Sequence, residues 1–217
     1  MAMSKLKILP LVCPDCGRTL FGLRYDKVFM CMQCLLGLAP AEQGWKRYKL
    51  EFPVLDETPA DPPLYLPMWK MKVDVKADPQ NKFQKASLRI LEDLDHVWAT
   101  GFSIIRPSYY ADPGLAYTEQ KVDPEAYDGI PPRAFVAGCT RGTEEADRYA
   151  ELYVTLMLDK RADVTGMEIN VTPLSYSLWA MPFTEREGKV RDMFAGLEIP
   201  VFALDDYLDI KRIRERL

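Results

Sequence analysis

A chain of 217 residues with 48% hydrophobic and 28% charged residues has the composition of a folded globular protein, which excludes wholesale disorder and a fibrous repeat. The formal net charge of −4 is unevenly spread: residues 1 to 52 carry 8 Lys+Arg and 4 Asp+Glu, leaving 20 and 28 for the rest, or +4 against −8. The opening MAMSKLKILPLVCPDC has no apolar core of signal-peptide length and no later stretch reaches the roughly 18 residues of a membrane span, so the expected location is the cytoplasm.

The first feature along the chain is Cys13-Pro-Asp-Cys16-Gly17, with fourteen residues, Gly17 included, between Cys16 and the following Cys31-Met-Gln-Cys34. Each Cys-x-x-Cys is a tight turn that aims two sulfurs at one point, and a hairpin between the turns closes a tetrahedron. Gly17 occupies the position where such a turn commonly needs positive φ. TLFGLRYDKVFM supplies two short strands around Tyr25-Asp26-Lys27, and WKRYKLEF (45 to 52) a third. Four cysteines clustered in a reducing compartment argue for metal ligation rather than disulfides. Zinc, a rubredoxin-like iron and a pair of redox dithiols all use such ligands, zinc foremost. Four cysteine ligands leave no open position for water, so the metal is expected to be structural.

Residues 8 to about 52, with CPDCG and CMQC, resemble the two-knuckle zinc-ribbon family, which implies one structural Zn²⁺ held by Cys13, Cys16, Cys31 and Cys34. LYLPMWKMK and SLWAMPF are similar to segments of uncharacterised bacterial proteins in which a ribbon precedes a second domain, a resemblance that implies no activity. Ribbons serve in nucleic-acid machinery, in protein docking and as staples, so the resemblance leaves the task open.

DETPADPPLYLP (56 to 67) reads as a boundary because its four prolines hold the chain extended. The expected organisation is a ribbon over 1–55, a linker over 56–63 and an α+β domain over 64–217. Within that domain, 64 to 75 reads as a strand apolar on much of both faces. Residues 81 to 98 read as one amphipathic helix with His96 on its solvated side. Residues 108 to 132 form an aperiodic stretch in which Tyr109, Tyr110, Tyr117 and Tyr127 offer a recognition surface or pack on their own domain. A helix opens at Thr143 and ends near Lys160. Strands are expected near 166–172, 176–183, 189–195 and 199–204, with FTEREGKV as a hairpin, and a last helix starts after Asp205 or Asp206, its stripe running through Tyr207, Ile210, Ile213 and Leu217.

Three functions compete. A protein-binding adaptor is the leading expectation. A nucleic-acid binder would use Arg18, Arg24, Lys27, Lys46, Arg47 and Lys49 interleaved with Phe21, Tyr25, Phe29, Trp45 and Tyr48; four thiolates and one Zn²⁺ contribute −2, which lowers that module's charge to about +2. An enzyme would rest on Cys139, which lies in AFVAGCTRGTEEA ahead of a helix N-terminus, with Arg141 beside it. Against it stand the burial typical of isolated cysteines and the lack of a derivable base.

Overall fold

The computed structural model describes residues 10–56, 59, 61–105, 112–205 and 207–214. The fold is α+β, a nine-stranded mixed sheet with four α-helices among the described residues. Strands β1 (Phe29–Cys31), β2 (Leu36–Ala41) and β3 (Gly44–Pro53) form an antiparallel meander. Two long strands follow as the spine, β4 (Leu64–Asp78) and β7 (Glu168–Arg186), paired antiparallel along their whole length. Strand β5 (His96–Thr100) closes the far side of β4, and β3 joins β7 in parallel through Leu50↔Leu178 and Glu51↔Trp179. The meander that carries the cysteines is therefore continuous with the main sheet in the order β1-β2-β3-β7-β4-β5.

The short β6 (Ala126–Tyr127) pairs with the end of β3, while β8 (Lys189–Asp192) and β9 (Glu198–Pro200) extend β7. Glu187 and Gly188, both at positive φ, make the two-residue turn of the β7–β8 hairpin that FTEREGKV foretells. The strands expected at 166–172 and 176–183 are one strand: the register shifts between Lys72 and Val73, and the extra residue on β7 is the exposed Leu174. The tract expected as a strand at 199–204 ends after Pro200 and turns into a 3₁₀ segment, Val201–Ala203.

Both faces of the sheet are covered. On one, α3 (Thr143–Asp159) lays Ala146, Ala150, Tyr153, Val154 and Met157 against Trp69, Met71, Val97, Leu178 and Ala180. Val28, Met30, Tyr48, Leu50 and Phe52 of the cysteine-bearing segment belong to this same cluster, and Tyr48 meets Trp69 edge-on at 4.8 Å. On the other face Leu64, Leu66, Met68, Trp98, Trp179, Met181 and Phe183 pack with Tyr117 of α2 (Pro113–Glu119) and with Tyr207 and Ile210 of α4 (Tyr207–Arg214). Burying side chains of this size stabilises by about 1.5–3 kcal/mol each. Asp206 and Leu217 lie outside the described residues, as does the side chain of Ile213.

The segment expected as one helix over 81–98 divides. Asn81 caps α1 (Lys82–Ser87) by accepting from the Phe83 and Gln84 N–H groups, a 3₁₀ turn Leu88–Leu91 follows, and β5 begins at His96. Val97 and Trp98 enter opposite clusters, which neighbouring residues can do on a strand and not on one helical stripe. Residues 108 to 132 are likewise not one irregular loop: Asp112 caps α2 from its Gly114 N–H at 2.9 Å, and Pro113 occupies the first helical position.

Helix α3 opens at Thr143, as its sequence suggests, and its cap is the residue before. Gly142 is the cap, because the Glu145 carboxylate reaches back to the Gly142 N–H at 2.9 Å while pairing with Lys27. Burial raises the Glu145 carboxyl, and the Lys27 and Gly142 hydrogen bonds override that and hold it below the ordinary glutamate range. A depressed folded value stabilises above the unfolded pKa and ceases to do so as pH falls through the folded one. Glu145→Gln is therefore expected to cost about 0.5 kcal/mol at pH 7 in urea unfolding, with the difference from wild type vanishing near pH 3. An equal difference at both pH values would refute the charge argument.

Candidate metal centre

The two turns are built alike. In the first, the Cys13 N–H donates to the Arg18 carbonyl at 2.8 Å and the Gly17 N–H to the Cys13 carbonyl at 2.9 Å. In the second, Cys31 ends β1 and Cys34 precedes β2. The residue after each pair is left-handed, Gly17 at φ 71° and Leu35 at φ 52°. Glycine adopts that region freely, and leucine does so at a cost that its packing against the main core and its carbonyl's bond to Leu50 N–H at 2.8 Å must offset. A pairing of Val12 with Thr19 and of Phe21 with Met30 brings the turns face to face.

All four Sγ atoms lie within 4.8 Å of one another, and the four residues could hold a metal ion. Cys13 and Cys34 are 3.8 Å apart and Cys16 and Cys31 3.6 Å, far beyond a disulfide bond. A tetrahedron with metal–sulfur bonds of about 2.3 Å has edges of about 3.8 Å, so the spacing fits a four-coordinate thiolate site. Cys13 and Cys31 are buried beside Leu20 and Leu38, Cys34 is half-buried and Cys16 is exposed.

The thiols are electrically unequal. Burial raises Cys13, yet the N–H groups of Cys16 and Asp15 prevail and bring it to about 7. The hydrogen bond with Cys16, followed by burial, pushes Cys34 up to about 12, and burial raises Cys31. Thiols this close do not all ionise without a cation among them; a divalent ion removes that conflict, and binding it releases protons.

No family model, curated protein or solved structure matches this chain. The capacity of the site rests on its own geometry.

The centre is pinned to the main sheet from two sides. Arg47 of β3 donates to Asp15 in the first turn at 3.0 Å. On the other side the Cys139 carbonyl accepts from the Lys27 and Val28 N–H groups at 2.6 and 3.2 Å, and the Cys139 N–H returns to the Val28 carbonyl at 2.8 Å. This close approach needs glycine at 138, where a Cβ would stand 2.3 Å from Asp26 Oδ2 and 2.8 Å from the Val28 oxygen.

Cys139 thus has a structural position. Its side chain is fully buried, and burial first, then the Asp26 charge, pushes the thiol well above its ordinary value, opposite to an activated nucleophile. Arg141, also buried, donates to Thr100 and lies over the Tyr149 ring at 4.6 Å. His96 is not on a helix face: it opens β5, half-buried, with Nε2 3.7 Å from Asp123.

Of the basic residues considered for nucleic acid, Lys27, Arg47 and Lys49 are ion-paired with Glu145, Asp15 and Glu51. Tyr48 is buried, and Phe29 stacks edge-on against Trp45 at 6.1 Å. Arg24 lies over the exposed Tyr25 at 5.4 Å, and Lys46 over Tyr48 and Tyr176. The four tyrosines do not share one surface: Tyr117 is buried, Tyr127 is exposed on β6, and Tyr109 and Tyr110 lie outside the described residues.

Sequence reasoning passed over the polar end of β4. Leu64, Leu66, Met68, Lys70 and Lys72 share one side of the strand, and the change from apolar to lysine marks where that face opens. Alternation in the sequence already puts Leu64, Leu66, Met68 and Lys70 on one side; sequence reasoning passes over Lys72 and the buried Asp192, which accepts from Tyr117, and of these only Lys72 has a signal in the alternation.

Proposed function

We propose that the four cysteines hold one structural Zn²⁺ in the manner of the two-knuckle zinc ribbons, and that the protein acts by binding another protein in a reducing compartment, the cytoplasm. The observation that carries the metal reading is the tetrahedral spacing of four sulfurs. Four thiolates saturate zinc, which leaves no site for an activated water and supports a structural over a catalytic role. The binding reading is supported by Leu11, Phe21 and Tyr25, which stand 42%, 43% and 62% exposed on the metal-bearing segment while that segment is pinned to the sheet. Aromatic side chains presented on a rigid frame suit protein contacts.

Native mass spectrometry is expected to find one zinc per chain. Iron, or no metal after purification without chelator, would overturn the zinc reading. For the partner, a photoreactive residue replacing Tyr25 is expected to give a discrete protein adduct in cells that the same residue at exposed Glu92 does not. Adducts with nucleic acid alone, or none, would defeat the adaptor reading.

A further inference from the structure

Between the apolar cluster on one sheet face and the free ends of β4 and β7 lies a cavity of about 480 Å³, within the range of small-molecule sites. Its floor is two adjacent cross-strand rows on the same face, Ser177–Lys70–Trp98 and Ser175–Lys72–His96, running from β7 through β4 to β5. Neighbours in such rows stand about 5 Å apart and the rows about 7 Å, so two ammonium groups, two hydroxyls and an imidazole converge on one small area.

The parts are held in different ways. The Lys70 ammonium lies 5.6 and 5.2 Å from the ring centres of Trp98 and Trp179 and pairs with Asp123, which leaves it 16% exposed and fixed in place. Lys72 makes no ion pair among the described residues and stands exposed on the floor. The Ser177 hydroxyl accepts from Trp179 Nε1 at 3.1 Å, while Ser175 stands exposed beside Lys72. Burial, then the Lys70 charge, keeps His96 below its ordinary value, against the Asp123 and Asp95 charges and a hydrogen bond with the Val122 backbone. Two carboxylates also line the cavity: Glu51 is held by Lys49 at 2.5 Å, and Asp95 is at the exposed rim.

We infer that this cavity binds a small molecule through an oxyanion group, a phosphate or a carboxylate, seated on Lys72 with Lys70, Ser175 and His96 around it. An oxyanion supplies Lys72 with a charge partner and gives the Ser175 hydroxyl an acceptor; both are charge-assisted bonds. The site draws on β4, β5 and β7 and is independent of the metal reading.

His96 is the single histidine of the chain, so its ring Hε1 proton is an unambiguous NMR reporter. The full-length protein would be titrated with inorganic phosphate and, separately, with succinate at pH 7.5, sodium chloride holding the ionic strength constant. A saturable shift with either anion is expected. Saturation by phosphate alone would assign a phosphate-bearing ligand, and by succinate alone a carboxylate. Lys72→Met, a change at an exposed position, is expected to weaken that affinity about tenfold or more, and Ser175→Ala to weaken it less. No shift, a shift that chloride reproduces, or undiminished saturation in Lys72→Met would overturn the assignment.

Discussion

Cys31→Ser is expected to abolish metal binding and to destabilise the whole sheet by about 4 kcal/mol or more, in a single transition. A serine hydroxyl is a poor ligand at neutral pH, and Cys31 is 3% exposed, so the substitution leaves three thiols crowded around a buried hydroxyl. The loss spreads because Cys31 ends β1, β1 pairs with β2 and β2 with β3, and β3 is hydrogen-bonded to β7. If that segment detaches, Tyr48, Leu50 and Phe52 withdraw from the cluster that also contains Trp69 and α3. Metal content by mass spectrometry and denaturant unfolding followed by both circular dichroism and tryptophan fluorescence would measure it. Two transitions, the second unchanged from wild type, would show instead that residues 1–55 fold as a unit of their own. Cys139→Ala provides the contrast: it should lower stability by creating a cavity and leave the metal in place.

Asp192→Ala should be the most damaging change on the opposite face, at about 3 kcal/mol or more in guanidinium unfolding at unchanged slope. Asp192 is 1% exposed at the end of β8. One carboxylate oxygen accepts from the Tyr117 hydroxyl and from the Phe194 N–H at 3.2 Å, and the other from the Ala195 N–H at 2.5 Å. Alanine would take the acceptor from the buried Tyr117 hydroxyl and from two half-buried N–H groups, and a fully buried stranded group costs about 1–3 kcal/mol. The Tyr117 phenol stays a donor because burial, with the Asp192 charge added, holds it neutral well above its ordinary value. Tyr117→Phe strands nothing new except part of the carboxylate and should cost less, about 1–2 kcal/mol. An Asp192→Ala protein within about 0.5 kcal/mol of wild type would mean that neither the Tyr117 bond from α2 nor the two N–H bonds of the turn after β8 contribute measurably.

Local signals were read correctly where the physics is local. Of Ala146, Tyr149, Ala150, Tyr153, Leu156 and Met157, which helical spacing puts on one apolar face of α3, all but the half-buried Tyr149 and the exposed Leu156 are buried, and Glu187-Gly188 permits the left-handed turn that a tight hairpin needs. The 81–98 stretch misled because a strand buried on both faces and the apolar stripe of a helix can share the same adjacent large residues, here Val97 and Trp98. Asp112-Pro113-Gly114 was a legible cap followed by a first-turn proline, hidden inside a stretch judged by its tyrosines and prolines.

By itself the sequence determined the four thiols and their two turns, since Cys-x-x-Cys spacing dictates where the sulfurs point whatever surrounds them. It also determined an α+β chain, because helical and alternating periods can be counted locally. Only the tertiary structure decided that β3 runs beside β7, that Cys139 docks by its backbone rather than reacting by its thiol, and that Lys72, Ser175 and His96 share one floor. Those pairings join residues up to 128 positions apart, as Leu50 and Leu178 are, and strand order and register come from the competition among all apolar faces for burial, a quantity no local spacing carries.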